Sequence, residues 1–236
     1  MFDNIGLIVS RLLSGVPATV SAAVGGIAVT ILLSFAAGLA LLARSRWVRG
    51  VARTYVEFFR GTSEVVQLFW IFFVLPALVG FQIVPLGAGI LVLGLNHGAY
   101  GAEIVRGAVG SVPRQQYEGC VALSMSPAQR MFRVLLPQAV VEMLPSFNNL
   151  FIQLLKSTAL LSLVTVQEVA FQGQVLVPNL GVGEKLTIYL VELVIYLVLA
   201  VLITFTMRRI EGWASARVGR APTPRARRPV LPGKPS

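Results

Sequence analysis

Five stretches of this chain are apolar for long enough to cross a bilayer, and no other feature narrows its fold as far. They are Val16–Ala43, Val65–Gly80, Leu86–Val105, Leu136 to about Val166, and Leu186–Met207. A span needs ~20 apolar residues to cross the hydrocarbon core, and inside that core each backbone N–H and C=O must find a partner within the protein. Without strand-length alternation to close a barrel, those conditions leave α-helices. The expected fold is all-α: a polytopic membrane helix bundle of about five transmembrane helices. Only 13% of the 236 residues are charged, which sets the chain apart from soluble domains.

The arginines give the stretches a direction. Arg44, Arg46, Arg49, Arg53 and Arg60 follow the first stretch, Arg106, Arg114, Arg130 and Arg133 follow the third, and Arg208 and Arg209 follow the fifth. Basic residues beside spans mark the cytoplasmic side, so the expected topology is N-terminus out and C-terminus in. The formal charge of +10 then reports topology and contact with anionic membrane lipid; no aromatic-interleaved basic patch points to nucleic acid. One cysteine, Cys120, excludes an internal disulfide, and one histidine, His97, supplies no metal cluster. The expected organisation is a transmembrane domain over 1–210, with a cytoplasmic loop at about 106–135, and a basic disordered tail over 211–236.

Two of the stretches carry small residues every four positions: Ala18, Ala22, Gly26 and Thr30 in the first, Gly94, Gly98 and Ala102 in the third. Such faces let membrane helices approach closely. Pro17 falls at the expected start of the first span, and Pro145 is expected to break or kink the fourth. The third is unusually polar, with Asn96, His97, Tyr100 and Glu103, and the fourth carries Asn148, Asn149, Gln153, Lys156, Ser157 and Thr158. Lys156 at a helix centre would cost ~2.5–3.5 kcal/mol unless it pairs, snorkels or faces water. These polar groups either satisfy one another between helices or border a solute path. Glu57 with Arg60, and Arg60 with Glu64, have spacings that permit ion pairs on a helix. Phe171–Lys185, with Pro178, Gly181 and Gly183, reads as an external loop.

Between the third and fourth stretches lies a mostly polar segment, Tyr117–Pro137, reading YEGCVALSMSPAQRMFRVLLP. It divides into two helical pieces. The first runs from Arg114 to Leu123. The second opens at Ser126, with Pro127 at its first position and Gln129 completing a capping-box pattern, and Pro137 is expected to interrupt it.

This segment resembles the cytoplasmic loop of permease subunits of bacterial ABC importers, whose form is E-A-A, three residues, G, nine residues, I-x-L-P. Here Glu118-Gly119-Cys120, three residues, Ser124, nine residues and Val134-Leu135-Leu136-Pro137 keep the spacing. Gly119 and Cys120 replace the alanines and Ser124 replaces the glycine. Two further stretches resemble polar amino acid permeases. YVEFFRGTSEVVQ, from Tyr55, is similar to Y-x-E-x-F-R-G-T-P-x-x-V-Q, with Ser63 in place of proline. YGAEIVRG, from Tyr100, is similar to A-E-x-x-R-G. LLKSTALLSLVTVQEV also resembles L-K-x-T-S-L-x-S-x-x-x-x-x-E, with Ala159 in place of serine.

The resemblance implies a permease of the bacterial cytoplasmic membrane that works by alternating access. Its implied partners are a cytoplasmic ABC ATPase dimer, a second permease subunit, homologous or identical, and an extracytoplasmic solute-binding protein. Glu118, Gly119, Cys120, Ser124, Val134, Leu136 and Pro137 would couple it to the ATPase. Glu103, Asn149, Gln153, Lys156 and Thr158 are the candidate solute path. No cofactor is expected in this chain, because it lacks a G-x-x-x-x-G-K-[ST] phosphate loop and Mg-ATP would sit on the partner. The implied cargo is a polar amino acid of the His, Glu, Gln or Arg type, or a related zwitterion such as a compatible solute of the ectoine kind. An ion-coupled secondary transporter relaying through Glu103, Lys156 or Glu192 stays open, as does an intramembrane enzyme. Neither accounts for the loop spacing.

Overall fold

The computed structural model describes residues 4–80, 82–180 and 182–217. Eight helices fill them: α1 (Ile5–Leu41), α2 (Arg46–Gly61), α3 (Glu64–Val79), α4 (Pro85–Ser111), α5 (Arg114–Ala122), α6 (Pro127–Val164), α7 (Val169–Leu180) and α8 (Lys185–Arg217). By length and apolarity α1, α6 and α8 can each cross a membrane, and α2 with α3, bent by 106°, can count as one further broken span. At 27 residues α4 is ~40 Å long, but its polar middle lowers its apolarity. It is the most enclosed helix, with Val92, Ala99, Ala102 and Val105 almost fully buried.

The centre of the fold is α1 against α4, its most extensive helix contact. Small residues of both helices line it. Ala22, Gly26, Thr30, Ser34 and Gly38 of α1 are buried; Ser34 lies against Gly101 and Gly38 against Ala102 and Val105, while Gly94 and Gly98 take up Val29 and Leu33 of α1. The approach is close enough that a Cβ on Gly38 would lie 2.8 Å from the Ala102 carbonyl oxygen and 2.7 Å from the Val105 Cβ. Around this pair α6 packs Met143, Phe147, Phe151, Leu154 and Leu155, and Phe35 stacks on Phe147 at 6.2 Å between ring centroids. The outermost helix is α8, whose apolar side chains, Leu193, Leu197 and Val201 among them, are mostly exposed, as expected of a lipid-facing helix.

Several expectations need correction. α1 begins at Ile5, so Pro17 lies in its interior rather than at its start. Phe171–Lys185 is largely helical: α7 packs Val169 and Leu176 against Ile8, Leu12 and Ile188, and this apolar face outweighs its Gly and Pro content. Pro145 does not break α6, which runs unbroken through it. Nor does Pro137 interrupt: a π turn over Arg130–Leu135 leads into it, and another over Trp70–Val74 leads into Pro76. The wider turn supplies room where a proline lacks its N–H and crowds the carbonyl four residues back. The last helix continues to Arg217, so 211–217 are helical rather than part of a disordered tail; 218–236 lie outside the described residues.

The α1–α4 contact predicts an asymmetry among glycines of these helices. Gly38→Leu should lower thermal stability in detergent, since overpacking costs ~1–3 kcal/mol. Gly107→Leu, where an added Cβ meets nothing within 4 Å, should leave it unchanged. Fluorescence-detected size-exclusion after a heating series distinguishes the two.

Candidate functional site

The loop between α4 and α6 is built on a left-handed joint. α5 ends in a Schellman motif: the Ser124 N–H donates to the Val121 carbonyl at 2.9 Å and the Met125 N–H to the Cys120 carbonyl at 3.1 Å. That geometry demands a positive φ at position 124, and Ser124 adopts +54°. The conformation a glycine would supply is thus kept, with serine in it. Two residues on, the expected capping box is formed. The Gln129 N–H donates to Ser126 Oγ at 3.3 Å, and the Ser126 N–H to Gln129 Oε1 at 2.9 Å.

Cys120 is buried, and α5 packs on the start of α6. Arg130 lies 5.1 Å over the Tyr117 ring, and Gln138 Nε2 donates to Gln116 Oε1 at 3.4 Å. Glu118, Gly119 and Ser124 stand exposed on the outer side. Leu123 and Phe132 beside them are 77% and 61% exposed, an unusual expense for a polar loop unless something covers them. Glu118 forms no ion pair among the described residues. Val134 and Leu136 are half-buried, Leu136 on the core at the end of α4 and α6, and Pro137 is exposed.

Beside the loop, α2, α4 and α6 line an open cavity of about 480 Å³, bordered by Arg60, Tyr100, Glu103, Asn149, Gln153 and others. Three of the candidate path residues, Glu103, Asn149 and Gln153, are brought together there. Ser146, Asn149, Gln153 and Lys156 form one exposed row at helical spacing on α6, Lys156 lying one turn beyond the cavity lining. Thr158 is not in the row. It is fully buried and its hydroxyl donates to the Leu155 carbonyl at 2.7 Å. Both charge signs reach the cavity: the Arg60 guanidinium lies 5.2 Å over the Tyr100 ring, and Glu103 pairs with Arg106 at 2.7 Å.

Arg60 therefore pairs with neither Glu57 nor Glu64. Glu57 binds Arg53 at 3.0 Å instead. Glu64 lies past the 106° bend, where it accepts from Ser157 Oγ at 2.9 Å and lies 3.5 Å from His97 Nδ1. Buried amides hold the bend itself. Gln67 Nε2 and Asn96 Nδ2 each donate to the Phe59 carbonyl at 3.0 Å, and Asn96 also donates to Gln67 Oε1 at 3.1 Å. These close the carbonyl end of α2, which the break leaves without helix partners. At the opposite end of the fold Glu168 caps α7, accepting the Ala170 and Phe171 N–H groups at 2.8 and 2.7 Å and the Tyr196 hydroxyl at 2.9 Å. The sequence reading missed Arg60 and Tyr100 as cavity walls, although both stand inside the stretches it singled out.

Comparison with known proteins adds a family, two relatives and two solved structures. The family described as binding-protein-dependent transport system inner membrane component matches residues 30–215. The "Probable amino-acid ABC transporter permease protein y4tF" of Sinorhizobium fredii is 45% identical over 184 residues, 76% of each chain. The "Glutamine transport system permease protein GlnP" of Escherichia coli is 34% identical, covering 85% of this chain and 91% of its own. Among solved structures, an amino acid ABC transporter crystallised with histidines matches with a TM-score of 0.78 at 26% identity, over 89% of this chain and 97% of that one. The MetNI methionine ABC transporter, at 22% identity and a TM-score of 0.71, shares the fold.

The joint at Ser124 yields a prediction. Ser124→Gly should leave stability equal or raise it by up to ~1 kcal/mol, the cost of holding an L-residue in the left-handed region. Ser124→Val places a β-branched side chain there, an outlier conformation, and should lower it by more than that. Thermal unfolding of the purified chain measures both.

Proposed function

The chain belongs to the binding-protein-dependent transport system inner membrane component family, and from that premise we propose that it is the permease subunit of an ATP-driven importer of a polar amino acid or a related zwitterion. As a family member it is a multi-pass transport component of the inner membrane, and an ion-coupled secondary transporter is not favoured.

One observation carries the cargo reading: the exposed polar row of Ser146, Asn149, Gln153 and Lys156, facing a cavity that also holds Arg60 and Glu103. A row of this kind on a membrane helix is unfavourable against lipid and belongs to a water-filled path or a subunit boundary. A zwitterion needs both charge signs or oriented dipoles along such a path, and Arg60, Glu103 and the two amides supply them. The relatives point the same way, since y4tF and GlnP are described as amino-acid and glutamine permeases.

The partners in this proposal are an ATPase dimer, a second permease subunit and a solute-binding protein. The ATPase docks on the exposed side of α5 and the following turn, at Glu118, Gly119 and Ser124, with Leu123 and Phe132 as its apolar contact. The topology is five spans, the bent α2–α3 pair and α4 included, with the N-terminus outside and the α5 loop in the cytoplasm.

Uptake by the complex reconstituted with its co-encoded ATPase and binding protein tests this reading. Gln153→Ala should reduce amino-acid uptake at least ~10-fold, the factor that corresponds to ~1.4 kcal/mol, while solute-stimulated ATP hydrolysis remains measurable. Glu118→Lys should instead weaken ATPase docking or separate hydrolysis from uptake; full coupling in that variant would remove the loop from the mechanism. For topology, a single cysteine at position 111, on a Cys120→Ser background, should resist a membrane-impermeant thiol reagent in whole cells. One at position 82 should react.

A further inference from the structure

α2 has three faces, and among the described residues one packs on protein. Ala52 and Val56 are buried against α1 and α4. A second face carries Arg46, Arg49 and Arg53 at helical spacing, and a third carries Trp47, Val51 and Phe58, which are 87%, 71% and 58% exposed. α2 also meets α3 at 106°, so it lies across the direction of the helix that follows it. An apolar stripe beside a basic stripe, on a helix crosswise to a span, is the pattern of a helix lying in the membrane interface.

Between α2 and the last turns of α1 runs an apolar groove of about 510 Å³, walled by Ala36, Ala37 and Ala40 on one side and Trp47, Val51 and Tyr55 on the other. Its place at the end of a membrane-crossing helix puts it at headgroup depth. Next to Trp47 in the chain stands Arg46, with Arg44 two residues before it, both exposed and without hydrogen bond or ion pair among the described residues. Of the nearby cations, Arg53 is taken up by Glu57, and Arg49 reaches only the Ala43 carbonyl, at 3.4 Å.

We propose that this groove is a binding site for an anionic diacyl phospholipid, one acyl chain lying along the alanines under Trp47 and the phosphate held by Arg44 and Arg46. The charge decides the occupant. A second copy presenting the same face would set arginines against arginines, and a zwitterionic lipid would leave the two free guanidiniums without net compensation. Each basic residue near a membrane surface adds attraction for anionic lipid, and a bidentate guanidinium–phosphate contact adds geometry. The proposal rests on the membrane location of the chain and not on its cargo, so it stands or falls independently of the transport assays.

The chain has three tryptophans, which gives a direct test. With Trp70→Phe and Trp213→Phe, Trp47 is the sole emitter of the full chain in phosphatidylcholine vesicles. Brominated-chain phosphatidylglycerol or brominated-chain phosphatidylcholine is then added at equal mole fraction. Quenching should favour phosphatidylglycerol by ~10-fold in apparent affinity, since two basic groups each contribute to the attraction. Arg44→Gln with Arg46→Gln should bring that preference close to one. Arg208→Gln with Arg209→Gln, which removes equal charge elsewhere, should leave it intact. Ala37→Leu should reduce quenching by both lipids as the groove fills. Equal quenching by the two lipids overturns the proposal. So does absence of quenching, which would mean that protein or water covers Trp47, and so does a preference that survives loss of both arginines.

Discussion

The close approach of α1 and α4 is the constraint from which the rest of this structure follows. Apolar surface gives membrane helices little reason to associate, because lipid is as apolar as a leucine side chain. What holds two of them together is contact between backbones, and that needs residues with little or no side chain. Here Gly38 lies against Ala102 and Gly101 against Ser34, and Gly94 and Gly98 receive Val29 and Leu33. With that pair fixed, α6 can lay large side chains such as Phe147, Phe151 and Leu154 across it. The large residues therefore surround the joint and the small ones make it. A side chain added at Gly38 would separate the two helices and with them every surface α6 packs on.

A second rule governs the places where helices stop. In lipid a broken helix leaves carbonyl and N–H groups that water cannot satisfy. Three of the breaks among the described residues are closed by a side chain from another helix or by the turn itself. The Thr62–Ser63 break is closed by Gln67 and Asn96, the start of α7 by Glu168, and the end of α5 by its own Schellman turn. Asn96 and Glu168 are thus accounted for as structure. The polar groups that close no break, Asn149, Gln153 and Lys156, are the exposed ones.

Much of this was legible in the sequence, and the failures share a cause. The small residues of the first and third stretches and the capping box at Ser126 are local patterns, and they appear where the pattern puts them. Pro137 was misjudged because a proline's effect depends on whether the preceding turn can widen, which composition does not state; Pro145 is carried inside an unbroken helix. The pairing of Arg60 with Glu64 was misjudged because i,i+4 spacing holds only inside one helix, and the chain bends between them. α7 was read as a loop because its helix is secured by a carboxylate and by packing on α1. Arg60 and Tyr100 escaped notice as cavity walls because their partner elements are 40 residues and more apart in the chain, and no single-stretch pattern records that. Glu103, Asn149 and Gln153 were found together only because polarity inside a span is rare enough to stand out alone.

On the importer reading, the loop and the cavity are two ends of the same rods. α4 carries Tyr100 and Glu103 on the cavity and reaches Ser111, two residues before α5 begins. α6 starts at Pro127 within the loop and continues as one helical run, through its π turn, to Asn149 and Gln153. No break lies on either route. A displacement at the loop ends of α4 and α6 therefore reaches both walls of the cavity along unbroken helix, while α5 itself is joined to each by a short turn, at Val112–Pro113 and at Leu123–Ser126. The first irregularity along α6 comes after the cavity. The helix tightens to a 3-10 turn over Thr158–Val164, and Thr165 sits at φ +62°. A long 3-10 stretch is less stable than α-helix and often marks a hinge. Beyond it Glu168 fastens α7 to Tyr196 of α8, and Thr19 of α1 accepts the Val169 N–H at 3.2 Å. The stiff part of the machine thus runs from the ATPase side through the cavity, and the compliant part lies between the cavity and the far face. Motion of that form opens one side of a path while the anchored helices hold the other, which is what alternating access requires.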